Sequence, residues 1–135
     1  MIKLVYVGNK VKGETLFYIY DVCLDSGEVV GECNLRVGGD NFYSGNVGYR
    51  INEEHRNRGY ATAAVEEIKK LAAQKGIDEL LLCIAPNHAA SLRVAKKLGA
   101  IDLGTVDIPE SHELYAYGRR KTSRHLINLK PKTKN

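Results

Sequence analysis

The sequence contains little of what disulfide-stabilised or zinc-binding proteins need. Its 135 residues include three cysteines, three prolines, one methionine and no tryptophan. The cysteines (Cys23, Cys33 and Cys83) are odd in number and form no Cys-x-x-Cys pair. We therefore expect reduced core thiols in a cytoplasmic protein. No cluster of His, Cys and carboxylate residues has the spacing of a zinc site, so no metal is expected.

Long apolar runs are absent too, and none approaches the length that a membrane-spanning helix requires. The apolar stretch at the N-terminus is too short for a signal peptide, and no cleavage site follows it. The motif Gly-x-x-x-x-Gly-Lys-Ser/Thr does not occur, which argues against a P-loop nucleotide enzyme. With 44% hydrophobic and 27% charged residues, the composition is that of one globular domain with a sizeable core and no membrane partner.

Positive charge is concentrated at the C-terminal end. The net charge is +4, but seven of the 20 Lys and Arg residues lie in 118–135, where there is no acid. We therefore predict one domain over residues 1–118 and a solvated basic tail over 119–135. Nucleic acid is not an expected partner, because the Arg-Lys cluster lacks interleaved aromatic residues. The apolar patch Leu126–Leu129 leaves open that the tail pairs as an edge strand, within one subunit or between two.

The first half of the chain predicts an antiparallel meander. Alternating apolar residues and many aromatic and β-branched side chains indicate strands at Thr15–Leu24, Glu28–Val37 and Val47–Ile51. Residues 2–7 predict a further short strand, and Gly8–Gly13 has the composition of a turn.

A basic turn follows the meander. Arg56-Asn57-Arg58-Gly59-Tyr60-Ala61 stands immediately before a pattern of apolar residues at three- and four-residue steps, which predicts a helix to about Ala72. A helix N-terminus presents unpaired N–H groups and a partial positive charge, and Arg side chains add donors that suit phosphate. The turn therefore predicts an anion site, although a solvated basic turn before a core helix would look the same.

The second half predicts a strand, a helix and two closing strands. Leu80–Ile84 is a short apolar run suited to a buried strand parallel to Val47–Ile51. A helix is predicted over about His88–Leu98, and strands over Ala100–Thr105 and His112–Tyr117.

The order of these elements and two motifs resemble the GNAT superfamily of N-acetyltransferases. The first motif of that family, Arg/Gln-x-x-Gly-x-Gly/Ala, is matched by Arg56, Gly59 and Ala61. The second, a helix that starts near Asn or Ser and ends in Lys-Leu-Gly, is matched over 87–100. The resemblance implies an α/β (α+β) fold with an antiparallel meander, a strand-helix-strand-helix unit and closing strands. Because no helical pattern precedes Thr15, the N-terminal helical region is reduced, which leaves the acceptor side open or completed by a second subunit in a homodimer.

The resemblance also implies the reaction, which is transfer of an acetyl group from acetyl-CoA to a primary amine on a small molecule or a peptide. By analogy with the family, the strand residues would pair with the pantetheine amides and the turn amides would hold the pyrophosphate. The cofactor-binding residues that it implies are Tyr49, Arg50, Ile51, Arg56, Asn57, Arg58, Gly59, Tyr60, Ala61, Asn87 and Ser91.

Two positions depart from the family pattern. Many members carry Glu where this chain has Asn46, and Tyr where it has Ala95. The remaining hydroxyl of the second motif, Ser91, is the first candidate for the acid that protonates the departing thiolate, and Tyr117 is the second. A cap of the second helix is an equal alternative for Ser91. The departures also leave open an acyl-CoA-binding module with weak catalysis.

Overall fold

The computed structural model of the protein describes residues 1–130, which form two β-sheets and three α-helices. The elements, in chain order, are β1 (Ile2–Lys12), β2 (Thr15–Leu24), β3 (Val29–Val37), β4 (Val47–Ile51), a 3-10 turn (Glu53–His55), α1 (Tyr60–Gln74), β5 (Glu79–Ile84), α2 (Ala89–Lys97), β6 (Ile101–Asp107), α3 (Glu113–Ala116) and β7 (Lys121–Asn128). The α+β class predicted from the sequence is confirmed.

The first sheet is the predicted meander, with strand order β1-β2-β3-β4 and antiparallel pairing throughout. In its register, Cys33 faces Tyr20 on one side and Tyr49 on the other. The turn predicted over residues 8–13 is wrong, because β1 continues to Lys12 through a bulge between Tyr6 and Gly8. No helix stands between β1 and β2 in the part of the chain that the structure describes, as the reduced N-terminal region implied.

The second sheet has the order β5-β7-β6, again antiparallel. The prediction of a solvated basic tail over 119–135 is therefore wrong for β7, which is the central strand of this sheet. Thr122 is fully buried, and Ser123, His125 and Ile127 are nearly so. The polar residues of β7 hid it in the sequence, since the segment lacks the apolar pattern of a buried strand. Residues 131–135, the rest of that tail, lie outside the described part of the chain.

The core lies between the helices and the two sheets. α1 packs on the first sheet through Ala64, Val65, Ile68 and Ala72, all of which are fully buried. α2 contributes Val94 and Ala95 and contacts β5. Each large aliphatic side chain buried in this way contributes about 1.5–3 kcal/mol. The four α1 residues recur at one-, three- and four-residue steps, so the apolar stripe of the sequence is the packed face of the helix.

The segment before β7 is helical rather than extended. The strand predicted over His112–Tyr117 is wrong, because Glu113–Ala116 forms a single helical turn. His112 caps it, and its ring Nδ1 accepts a hydrogen bond of 3.1 Å from the Leu114 N–H. Side-chain capping satisfies an amide that would otherwise lack a partner, which favours the turn locally. Among residues 1–130, no helix has the length and apolar character needed to cross a membrane.

Candidate active site

The facing edges of the two sheets meet at one point and then separate. The Asn46 N–H donates to the Leu81 carbonyl, and the Leu81 N–H donates to Asn46 Oδ1, both at 2.8 Å. Gly45 makes this approach possible, because a Cβ there would lie 2.7 Å from the Leu81 carbonyl oxygen. The sequence predicted that β4 and β5 would pair as parallel neighbours. Instead they are edge strands of separate sheets, and a cleft opens between them.

The edge of β4 that faces this cleft carries free backbone groups. The Asn52 N–H donates to the Val30 carbonyl on β3. Because the direction of backbone groups alternates along a strand, the N–H groups of Tyr49 and Ile51 point the other way, towards the cleft. The Ile51 carbonyl accepts a hydrogen bond of 2.9 Å from Arg56 Nε, which ties the basic turn to the end of β4.

The N-terminus of α1 presents a row of backbone amides without acceptors. In residues 1–130, the first α1 amide with a backbone acceptor is that of Ala63, which donates to the Gly59 carbonyl. Within the described part of the chain, the amides of 57–62 have no acceptor, and no side chain caps the helix. Asn57 and Gly59 have left-handed backbone conformations, with φ of 65° and 81°. The first turn holds no acid, so the partial positive charge of the helix end is not neutralised.

Two cavities occupy the cleft. The first, of about 640 Å³, lies over the amides of the α1 N-terminus and is lined by Arg56, Asn57 and Gly59 among others. The second, of about 410 Å³, lies between the sheets, with β3 and β4 on one side and β5 on the other. Both are lined by the same four residues, which are Tyr49, Arg50, His88 and Ser91. The cleft therefore leads from an anion site to a chamber between the sheets.

Two hydroxyl groups lie where the cavities meet. Ser91 is in the first turn of α2 and is 7% exposed, and its helix has no side-chain capping bond. The capping alternative for Ser91 therefore has no support in the geometry. The Tyr49 hydroxyl is buried, and the described residues provide no hydrogen-bond partner within range. Burial raises the pKa of Tyr49, and the nearby Ser91 hydroxyl offsets part of this effect.

The structure gathers most of the predicted cofactor-binding residues around the first cavity. Those that line it are Tyr49, Arg50, Ile51, Arg56, Asn57, Gly59, Tyr60, Ala61 and Ser91. Arg58 and Asn87 are exposed and line neither cavity. Tyr117, the second candidate for the acid, is 78% exposed at the end of α3 and lines neither cavity.

Several residues of the inter-sheet chamber were not singled out from the sequence. Glu32, Asn34 and Arg36 line it from β3, and Arg119 lines it from the segment before β7. Polar residues alternate with apolar ones along β3 in the sequence, but the polar face of such a strand usually faces solvent. The sequence predicts a core thiol at Cys83, yet Cys83 lines the chamber, and burial raises the pKa of its thiol.

These residues fit a diphosphate attached to a chain of amides. The unpartnered amides at the start of α1 can donate hydrogen bonds to phosphate oxygens, and the open edge of β4 can add an extended amide chain as a further strand. Residues 1–130 contain no cluster of three or more His, Cys, Asp and Glu side chains suited to a metal ion.

Several solved structures that are similar to this chain are named as acetyltransferases. One is RimL, a ribosomal L7/L12 alpha-N-protein acetyltransferase, at 14% identity and a TM-score of 0.67. The match covers 86% of this chain and 72% of RimL. A second is the spermidine N-acetyltransferase SpeG K23-Y30 chimera from Vibrio cholerae and hSSAT, at 15% identity and a TM-score of 0.66. The match covers 84% of this chain and 67% of the chimera. A third is the aminoglycoside acetyltransferase AAC(6')-Ib in complex with coenzyme A, at 17% identity and a TM-score of 0.66, covering 83% and 66%.

Comparison with curated proteins found no match. Comparison with family models gave a match to the acetyltransferase (GNAT) domain over residues 6–101. That span runs from β1 through the anion site and α2 to the first residue of β6. Acetyl-CoA is the cofactor of this family. The two family motifs, matched here at 56–61 and 87–100, lie along the cleft. The chain belongs to the GNAT acetyltransferase family.

Proposed function

We propose that the protein is an N-acetyltransferase that moves an acetyl group from acetyl-CoA to the primary amine of a small molecule or a peptide. One observation carries the proposal: the unpartnered amides at the α1 N-terminus open into a cleft that continues past the open edge of β4 to two hydroxyl groups. A binding site for a diphosphate, one for an amide chain and a polar reaction centre thus follow one another along the same cleft.

The binding roles follow from these positions. The amides of 57–62 hold the pyrophosphate, with the charges of Arg56 and Arg58 beside them. The outward N–H groups of Tyr49 and Ile51 pair with the amides of the pantetheine chain. Acetyl-CoA supplies a thioester that an amine can attack. A backbone N–H at the β4 edge is in position to stabilise negative charge that develops on the carbonyl oxygen.

The acid role falls to the hydroxyl pair at the junction of the cavities. Ser91 and Tyr49 are adjacent there, and the Tyr49 hydroxyl has no hydrogen-bond partner within range among the described residues. A tyrosine hydroxyl is protonated at neutral pH, and burial raises the pKa of Tyr49 further, so it has a proton to donate when the thiolate leaves. We therefore retain Ser91 as a candidate for the acid, and we propose Tyr49 in place of Tyr117 as the second candidate.

The base cannot be the residue at the usual family position. Asn46 is an amide, and its side chain is engaged with Leu81 and with the Arg36 carbonyl. Two other groups on the cleft wall can accept a proton from the attacking amine. His88 lines both cavities, and imidazole is a common general base near neutral pH. Glu32 lines the chamber from β3 and is the second candidate.

The alternative is a module that binds acyl-CoA with little catalysis, and the Asn at position 46 and the Ala at position 95 favour it. The experiment that separates the two is release of free thiol from acetyl-CoA with a panel of primary amines, with mass detection of the acetylated product. We expect amine-dependent thiol release that falls at least 10-fold in His88→Ala. Coenzyme A binding without product from any amine would leave the binding module as the function.

A further inference from the structure

Arg36 stands on β3 at the wall of the inter-sheet chamber with part of its guanidinium unused. Its Nε donates to Asn34 Oδ1 at 3.0 Å, and its Nη1 donates to the Ser44 carbonyl at 2.8 Å. Within residues 1–130, Nη2 has no acceptor, and it lies against the face of Gly48, where an added Cβ would be 2.5 Å away. Two bonds thus fix the plane of the group and leave one edge free.

Arg119 reaches the same chamber from the segment between α3 and β7. Its backbone N–H is held by the Leu114 carbonyl at 3.0 Å, and its Nη2 donates to Thr122 Oγ1 at 3.2 Å. Its Nε is buried and has no partner in the described part of the chain. This side chain is therefore also anchored at one atom and unsatisfied at another.

No carboxylate of the described residues neutralises these two cations. None of the ion pairs in residues 1–130 includes an arginine. Glu32 lines the chamber, but it lies four residues from Arg36 on the same strand, about 13 Å away at the usual rise of a strand. Burial lowers the pKa of Arg36, and the charge of Arg119 lowers it further, although the Cys83 thiol opposes part of this effect. Burial also lowers the pKa of Arg119.

Two like charges in one half-buried cavity, with donors unsatisfied, destabilise the free protein unless a ligand brings the opposite charge. Arginine presents its donors in a planar fork that matches an oxyanion, so the missing group is a carboxylate or a chemically similar oxyanion. The anion site at the α1 N-terminus is served by other residues of the other cavity, so this pair is not needed for the cofactor diphosphate.

We propose that Arg36 and Arg119 bind an oxyanion on the acetyl acceptor, so that the substrate class is a small amine that also carries a carboxylate, as an amino acid does. The amine then lies towards Tyr49 and Ser91, and the carboxylate lies towards the two arginines. This inference rests on the proposed function and adds to it the identity of the acceptor class.

The test compares each amino acid with its primary amide, which lacks the negative charge of the carboxylate. Amino acids with amines at increasing distance from the carboxylate are assayed beside their primary amides, with acetyl-CoA and the full chain, and aminoalkylphosphonates form a third arm. We expect kcat/KM for the carboxylates to exceed that for the amides by 10-fold or more. In Arg36→Gln and Arg119→Gln, kcat/KM for the carboxylates should fall about 10- to 100-fold while that for the amides changes by less than 3-fold. If the phosphonates are acetylated as well as the carboxylates, and kcat/KM for them falls equally in the two Arg variants, the site recognises the oxyanion and not the carbon skeleton that carries it.

Arg120→Gln is the matched control, because Arg120 is adjacent in sequence, stacks on the Tyr115 ring and lines neither cavity. This substitution should leave the ratio of kcat/KM for carboxylates to kcat/KM for amides unchanged. Equal rates for acids and amides in the wild type, or equal losses for both in the Arg variants, would overturn the proposal. If Arg36→Gln does not fold, Arg119→Gln still decides.

A second measurement does not depend on turnover. The shift in melting temperature on adding an N-acetyl amino acid should exceed that of its amide, and the difference should vanish in Arg119→Gln. If this difference is present but no amine is acetylated, the oxyanion site stands and the proposed acetyl transfer fails. If acetylation proceeds without any preference for anions, the proposed function stands and the oxyanion site fails.

Discussion

Asn46 and Leu81 hold the two sheets together through reciprocal hydrogen bonds of 2.8 Å, one made by the Asn46 backbone and one by its side chain. The Asn46 amide nitrogen also donates to the Arg36 carbonyl at 3.3 Å. The residue at the position of the usual family base thus joins β3, β4 and β5. Its side chain stands in for a backbone pairing at the point where the cleft begins.

We expect Asn46→Ala to destabilise the fold and to widen the cleft. The substitution leaves the half-buried Leu81 N–H without an acceptor, which costs about 1–3 kcal/mol. The midpoint of urea unfolding should fall accordingly, and acetyl-CoA affinity should fall with it. Asn41→Ala, which loses one exposed bond to the Gly38 carbonyl, is the control and should cost less than 1 kcal/mol. Equal midpoints for the two variants would show that Asn46 does not join the sheets.

The basic turn should determine cofactor affinity. Arg56→Ala removes both a charge at the helix N-terminus and the bond to the Ile51 carbonyl, so we expect coenzyme A affinity to fall about 10- to 100-fold. Arg58→Ala removes an exposed charge only and should cost less. Calorimetry with coenzyme A measures both. Unchanged affinity in both variants would contradict the placement of the cofactor at α1.

The two hydroxyl groups can be separated by single substitutions. Tyr49→Phe removes a buried hydroxyl that has no partner, so stability should stay the same or rise by about 1–3 kcal/mol, while kcat falls about 100-fold. Ser91→Ala should change stability little, because no capping bond is lost. Tyr20→Phe, at a buried tyrosine that lines neither cavity, is the control for rate. A variant that keeps full kcat is not the acid.

The C-terminal strand should be essential for folding. Truncation after Gly118 removes β7 from the centre of its sheet, and we expect loss of the cooperative melting transition. Ile127→Ala tests the same point mildly and should cost about 2–5 kcal/mol, since Ile127 is 4% exposed. Leu103→Ala, on the exposed edge strand β6, is the comparison and should cost far less. A truncated chain that still melts cooperatively would show that β7 is dispensable.

Alkaline pH should destabilise the protein through Cys33. Burial, and to a lesser extent the charges of Glu32 and Asp21, raises the pKa of this thiol from 9.0 to about 12. Between these values the folded state keeps a proton that the unfolded state has lost, so stability falls as pH rises, by at most about 1.4 kcal/mol per pH unit. Urea midpoints from pH 8 to 10.5 measure the slope. Cys33→Ala should reduce this slope, whereas Val22→Ala should lower stability and leave the slope in place.

The sequence predicts the meander and both long helices because their apolar residues follow the strand and helix periods. It does not predict β7. Thr122, Ser123 and His125 are buried by residues distant in the chain, and the local pattern of polar and apolar residues cannot indicate that burial. The anion site is predictable because one segment builds it. The chamber is not predictable, because Arg36 and Arg119 are far apart in the sequence and line one cavity only when the sheets form.

Because the edge of β4 is open, a bound amide chain extends the first sheet by one strand. In the free protein, the outward N–H groups of Tyr49 and Ile51 donate to no group of the described residues, so their exchange with deuterium should be fast. A bound amide chain protects them and adds its binding free energy to that of folding. Deuterium uptake at these two amides therefore reports occupancy of the cleft residue by residue, even in a variant that has lost all catalysis.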